Sequence, residues 1–317
     1  MLPEAILACP ARGLAQEQRV QFFRDGFVCL PGFFAGPAIA RLRDALGALI
    51  ELSRERPGND EDYTVAPGHA AANPRLVTVR RVQDMHPAFW EFAARSKLAD
   101  LAADLVGPDV KFREAYINFK RAREGEAVSW HQDFPFFPMT NRAMITALVY
   151  LDDVTADMGP IAVVPGAHRG PVFDHYSGAG VWSGRIAEGD EALAGVPRAL
   201  SQPGPAGTVV IFDSCMVHGS APNTTARDRP VLIVGYAAAD AFAYTATPPS
   251  MYSRRTWQIV RGRHAAQAHF EAVPCRVPPD WSKQEYVPPD WPEGSNVLGP
   301  NLPAPAAGVS AGAKRMA

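Results

Sequence analysis

What this chain of 317 residues lacks narrows its function early. It has four cysteines, Cys9, Cys29, Cys215 and Cys275, scattered and without CxxC spacing, which excludes a disulfide framework and the usual thiolate zinc sites. It has no surplus of either charge: 31 Lys and Arg stand against 33 Asp and Glu, for a formal net charge of −2. That balance leaves no electrostatic footprint for nucleic acid or an anionic membrane. No apolar run approaches the length of a membrane span. Residues Met1 to Arg12 show no basic leader followed by a long apolar stretch, so a secretory signal is not expected. There is no internal repeat. These absences predict a globular cytoplasmic protein acting on a small molecule, and they leave its oligomeric state open.

What is present divides into two kinds of periodicity. Leu14 to Phe34 reads as a helix, a turn at Asp25-Gly26 and the short strand Phe27-Val28-Cys29-Leu30, stopped by Pro31-Gly32. Pro37 opens a second helix with apolar residues at Ile39, Leu42, Leu46, Leu49 and Ile50. A third is expected from Pro87 to about Val106, closed by Gly107-Pro108. Beyond it the period shortens. Val110 to Lys120, Met144 to Leu151, Ile161 to Val164, Thr208 to Phe212 and Val231 to Tyr236 are β-prone runs separated by Gly, Pro, Asp and Asn, the pattern of a sandwich or barrel.

The expected fold is therefore mainly β (α+β), with a jelly-roll core over 110–240 and a helical N-terminal part over 14–106, in a single domain spanning 1–290. A Gly- and aromatic-rich insertion over 166–205 reads as a lid. The Pro/Ala/Gly-rich tail 291–317 has little to bury, and Pro303 to Ala317 is expected to be disordered.

Three side chains carry the chemistry. His131 and Asp133 lie in Trp130-His131-Gln132-Asp133-Phe134, and His218 follows the apolar run Val209-Val210-Ile211-Phe212. On a strand, residues i and i+2 share a face, so His131 and Asp133 can reach one ion while Gln132 points away. Two imidazoles and one carboxylate suit Fe(II) and leave positions free for oxygen and an organic cosubstrate. Zinc would accept the same donors, but structural zinc prefers four closed ligands, usually with Cys, and no CxxC spacing supplies them. His168, after the turn at Gly166, is the competing ligand, better suited to a supporting role. Eleven positions beyond His218 stands Arg229, at the edge of a strand. Its fork suits the far carboxylate of a dicarboxylate such as 2-oxoglutarate, while Arg227 in the polar turn suits solvent.

In this ordered set the chain resembles the phytanoyl-CoA dioxygenase (phytanoyl-CoA hydroxylase) family of Fe(II)/2-oxoglutarate oxygenases. The markers are Phe22-Phe23-Arg24-Asp25-Gly26-Phe27-Val28 with Leu30-Pro31-Gly32-Phe33, Arg81-Val82-Gln83-Asp84, His131-Gln132-Asp133, Gly159-Pro160 with Val164-Pro165-Gly166-Ala167-His168, and His218-Gly219-Ser220 with Asn223 and Arg229. The resemblance covers roughly Glu17 to Tyr236. It implies a double-stranded β-helix (jelly-roll, cupin-like) core with flanking N-terminal helices, Fe(II) on His131, Asp133 and His218, and 2-oxoglutarate held by Arg229. It also implies that Arg81, Tyr116 and Leu148 border the cosubstrate, and that O₂ is consumed as a C–H bond is hydroxylated with release of succinate and CO₂. Halogenating relatives replace the carboxylate ligand with a small residue; Asp133 is present, which favours hydroxylation.

Two other classes fit a jelly roll: a cupin-type metal-dependent isomerase or lyase, and a non-catalytic binding protein. For the substrate, Phe134, Phe136, Phe137, Tyr116 and Trp182 are candidates for an apolar wall. Asn118, Arg169, His175, Tyr252 and Arg254 are candidates for a polar head group. The run Phe134-Pro135-Phe136-Phe137-Pro138 differs from the pattern of ectoine hydroxylases.

Overall fold

Helical spacing is confined to the first third of the chain, and the helices form there. The computed structural model describes residues 1–187, 189–247 and 251–283. A short α1 (Pro3–Ala8) precedes α2 (Gln16–Asp25), which ends at Gly26 with φ 82°, a left-handed position that favours glycine. A second reason fixes that glycine: a Cβ there would stand 2.3 Å from the His168 ring. Next come β1 (Phe27–Leu30), α3 (Gly36–Ser53), β2 (Tyr63–Val65), β3 (Leu76–Val79) and α4 (Val82–Met85). Helix α3 buries Ile39, Leu42, Leu46 and Leu49, the stripe its sequence spacing predicts. The one helix expected from Pro87 to Val106 is two, α5 (Pro87–Arg95) and α6 (Lys97–Val106). Ser96 divides them: its backbone is extended, and its hydroxyl accepts the Leu98 N–H as an N-cap, an alternative to continuing the helix.

The strands follow: β4 (Val110–Lys120), β5 (Val128–His131), β6 (Met144–Tyr150), β7 (Ile161–Val163), β8 (Leu200–Ser201), β9 (Val209–Asp213), β10 (His218–Ser220), β11 (Arg229–Ala238) and β12 (Ile259–Arg261). They make two antiparallel sheets, a large one ordered β1-β9-β6-β11-β4-β3-β2 with β12 beside β4, and a small one ordered β5-β10-β7-β8. This is the expected jelly roll. Alternation along the central strands sorts the core. Ala147, Val149, Ile211, Leu232 and Val234 pack under the helices with Phe89, Leu98 and Leu101. Leu148, Tyr150, Val210, Phe212, Val231 and Ile233 point the other way and meet Ile161 and Val163 of the small sheet. Each such side chain contributes about 1.5–3 kcal/mol on full burial, so the register of the large sheet is strongly held.

The 166–205 segment carries the turns Ala167–Arg169 and Val196–Arg198 and a small core of its own, in which Ile186 and Ala194 pack on Val164 and Val217. Among the described residues no helix is long and apolar enough to cross a membrane. The expectations for the boundary at 290 and for the tail 291–317 lie outside the described residues.

Candidate active site

The two histidines meet because β5 and β10 are neighbours and their register pairs His218 with His131 directly. Their ring centroids are 4.1 Å apart. Each imidazole is oriented from behind by a main-chain carbonyl: Nδ1 of His131 lies 2.8 Å from Ser129 O, and Nδ1 of His218 lies 2.9 Å from Met216 O. Those bonds place the ring protons on Nδ1 and leave both Nε2 lone pairs facing the same point, the arrangement a metal-binding imidazole needs. Asp133 Oδ1 stands 3.8 Å from His131 Nε2 and 3.6 Å from His218 Nε2. The ligand atoms of the three residues all lie within 4.8 Å of one another, the separation expected around one ion.

Asp133 reaches this point by a different route from strand alternation. Strand β5 ends at His131, and Asp133 is helical (φ −72°, ψ −33°), leading into the single turn Phe134–Phe136. The turn, with Pro135 inside it, swings the carboxylate back towards the rings. Its other oxygen, Oδ2, accepts the Thr146 hydroxyl at 2.6 Å, which leaves Oδ1 for the metal. Burial alone would raise the Asp133 carboxyl; His218, His131, Arg113 and the Thr146 hydroxyl outweigh it and hold the group below its ordinary value. Burial, then the neighbouring His218 ring, keeps His131 well below the usual imidazole range, hence neutral. Gln132 does point away. Its amide nitrogen donates to Cys215 O and Pro171 O, its oxygen accepts the Phe173 N–H, and its main-chain N–H meets His175 Nε2 at 3.0 Å. His168 stays outside the cluster, with Nε2 3.2 Å from Phe23 O.

Beside the triad a cavity of about 920 Å³ opens along the inner face of the large sheet. Cross-strand rows build its floor. Tyr116, Ile233 and Leu148 stand side by side on β4, β11 and β6, and Asn118 and Val231 form the next row. Arg229 lies two residues further along β11, 6% exposed, with no anion beside it among the described residues and its Nε buried without a hydrogen-bond partner. Burial pushes its guanidinium down to about 10, so it is still cationic at neutral pH. Arg227 is exposed. Arg81 also lines the cavity, but its Nη2 lies 2.6 Å from Asp62 Oδ1 and 3.2 Å from Glu61 Oε1, so its charge is already matched.

Of the aromatic residues picked from sequence, Phe136 and Phe137 line the cavity with Tyr116. Phe134 is core, and Trp182 packs on Phe136 from behind at 5.1 Å. Of the polar ones only Asn118 faces inward. His175 is buried behind Phe136, Tyr252 is exposed, Arg254 lies 3.9 Å from Asp84, and Arg169 is not in the wall. No described residue of 166–205 lines the cavity; its rim comes from Pro57 to His69 and Arg121 to Val128. Sequence reasoning missed Thr146, although a hydroxyl inside the apolar run Met144 to Tyr150 is a signal. It also missed the charged neighbours Arg113 and Glu114, both 5% exposed in the cavity wall.

Comparison with known proteins gives a consistent picture. The family profile described as Phytanoyl-CoA dioxygenase (PhyH) matches residues 22–231. A probable alpha-ketoglutarate-dependent hypophosphite dioxygenase of Stutzerimonas stutzeri is 30% identical over 268 residues, covering 83% of this chain and 91% of that protein. The L-proline trans-4-hydroxylase of Streptomyces griseoviridis is likewise 30% identical over 268 residues, covering 77% and 94%. Among solved structures, EctD from S. alaskensis in its apoform superposes with a TM-score of 0.66 at 24% identity, over 80% of this chain and 88% of that one.

Proposed function

This chain belongs to the phytanoyl-CoA dioxygenase family and is an Fe(II)- and 2-oxoglutarate-dependent dioxygenase, and on that premise we propose how its residues divide the work. His131, Asp133 and His218 hold the ferrous ion; Arg229 holds the distal carboxylate of 2-oxoglutarate. The observation that carries this reading is the pairing of three converged donors with a buried cation that meets no anion among the described residues. Bound there, iron and 2-oxoglutarate supply the oxidising power that converts C–H to C–OH as O₂ is consumed and succinate and CO₂ are released. The protein's own part is positional. Ser129 and Met216 carbonyls fix the imidazole tautomers, Thr146 fixes the carboxylate, and Tyr116 and Leu148 wall the cosubstrate off from water. Arg81 is a rim charge that can meet the cosubstrate only by sharing or leaving Asp62.

The substrate is a small metabolite, sized to what remains of the cavity once 2-oxoglutarate is bound. We take the helices, the jelly roll and the 166–205 segment as one catalytic unit. We place it in the cytoplasm, whose reducing conditions fit four free cysteines. A cupin-type isomerase or lyase, or a non-catalytic binding protein, has no use for an unmatched buried Arg229. Anaerobic addition of Fe(II) and then 2-oxoglutarate tests the reading. A visible charge-transfer band that needs both additions is expected; no band with iron bound would overturn it.

A further inference from the structure

The inner face of β4 should present alternate residues, Glu114, Tyr116, Asn118 and Lys120, yet Arg113 faces the cavity too. The register explains this. Between Gly235 and Tyr236 the pairing of β11 with β4 shifts, from Gly235 opposite Glu114 to Tyr236 opposite Phe112, so Arg113 is the extra residue of a β-bulge. A bulge of this kind re-aims a side chain. Gly235 makes the space, since a Cβ there would stand 2.7 Å from Arg113 Nε. The guanidinium lies across β11, its Nη2 3.4 Å from the Thr146 hydroxyl that in turn donates to Asp133, and its Cζ 5.1 Å from the centroid of the Phe137 ring. A cation and an anion are thus set side by side, one hydroxyl away from the metal ligands.

Neither charge is fully used by the protein. Arg113 Nη1 lies 2.6 Å from Glu114 Oε1, but the contact is an ion pair without the direction of a hydrogen bond, and Arg113 Nε is buried with no partner. Glu114 receives no hydrogen bond from any described residue. Burial pushes its carboxyl up to about 7, against the pull of Arg113. A buried pair is a poor source of stability, because desolvation offsets the attraction unless further hydrogen bonds complete it. Here the completing groups have to come from the cavity.

We propose that Arg113 and Glu114 are the substrate-recognition pair, selecting a small zwitterion of the amino-acid type. The substrate carboxylate takes the guanidinium from its Nη2 side, beside Thr146, and its ammonium takes Glu114. Both charges of the ligand are then matched, and its carbon skeleton is held between Phe136 and Phe137 and the metal. This assignment rests on the oxygenase reading above and deepens it. An anion alone would meet the repulsion of Glu114, and an apolar ligand would leave both charges buried and incomplete.

The test uses the protein loaded anaerobically with Fe(II) and 2-oxoglutarate. The charge-transfer band is recorded first; its absence would defeat the oxygenase reading and not this one. With the band present, the twenty proteinogenic amino acids, β-alanine and hypophosphite are added singly, and the perturbation of the band is titrated. At least one amino acid is expected to shift it at submillimolar concentration, while its decarboxylated amine and its deaminated acid each bind at least tenfold more weakly. Glu114→Gln should erase the preference for the amino acid over the deaminated acid, and Arg113→Lys should weaken both. No response across the amino acids, a response to hypophosphite alone, or an unchanged preference in Glu114→Gln would each overturn the proposal. The comparison of ligands on the unmodified protein stands even where a variant does not fold.

Discussion

The metal point and the cavity floor beside it treat their polar groups in opposite ways. Around the metal point the ligand atoms turned away from the ion have protein partners: Ser129 and Met216 carbonyls meet Nδ1 of the small-sheet histidines His131 and His218, and Thr146, reaching over from β6 of the large sheet, takes Asp133 Oδ2. On the cavity floor Arg229 and the Arg113–Glu114 pair face the same space incompletely matched. The contrast separates a preorganised site from a site that a ligand completes. A metal tolerates little positional error, so its ligands are locked in advance. An organic ligand brings its own donors and acceptors, and unmatched buried charge is what makes the site reject ligands lacking them.

That contrast breaks most visibly at Arg229. Arg229→Ala leaves the distal carboxylate buried without its cation, a loss of about 3–4 kcal/mol, so the KM for 2-oxoglutarate should rise roughly 100- to 1,000-fold. Iron binding, measured separately by titration, should persist, because the three metal ligands and the groups that orient them are untouched. Equal losses in iron and 2-oxoglutarate binding would show that the metal point and the cavity floor do not divide the work in this way. On the metal side, Thr146→Val removes the hydroxyl that holds Asp133 Oδ2 and keeps the volume; a loss of roughly 10- to 100-fold in iron affinity is expected, the range for such supporting partners. Arg81→Ala should change the KM for 2-oxoglutarate by no more than about fivefold, since its partly exposed charge is already met by Asp62 and such pairs contribute up to about 1 kcal/mol. A loss at Arg81 as large as that at Arg229 would make it a second anchor.

The features legible in the sequence are those with a short repeat or a fixed ligand spacing. Strand β4 begins and ends where the apolar pattern from Val110 to Lys120 does, and the apolar run before His218 is β9, followed by β10 with His218 opposite His131. The features that were not legible depend on departures from regular pairing. Asp133 arrives by a helical turn, Arg113 by a bulge, and neither changes the composition of its segment. The helix expected across Ser96 failed because a local cap outweighed a long apolar stripe. The segment 166–205 reads as a lid from its length and its Gly- and aromatic-rich composition; its described residues stay out of the cavity wall and are tied to Gln132 from outside. Spacing identifies which residues can meet; the register decides from which side they do.

The smallest expected effect concerns that tie. His175 is 1% exposed, its Nδ1 lies 2.9 Å from Phe173 O and its Nε2 accepts the Gln132 main-chain N–H, so the fold accommodates only the neutral ring. Burial pulls its pKa down to about 4 from the ordinary 6.5. The unfolded chain therefore binds the proton more readily than the native one between those values, and the contribution of His175 is complete above pH 6.5 and lost progressively as pH falls towards 4. Protonation replaces an acceptor by a donor facing the Gln132 N–H, and Trp182, stacked on the ring at 6.0 Å, should report the change. Metal-free protein should lose a few degrees in Tm over this window, with a matching change in tryptophan fluorescence that is absent in Trp182→Phe. His175→Gln, which keeps an acceptor and removes the titration, should flatten the dependence. If it does not, the acid sensitivity belongs to the metal ligands themselves, and the iron site is looser than its hydrogen bonds indicate.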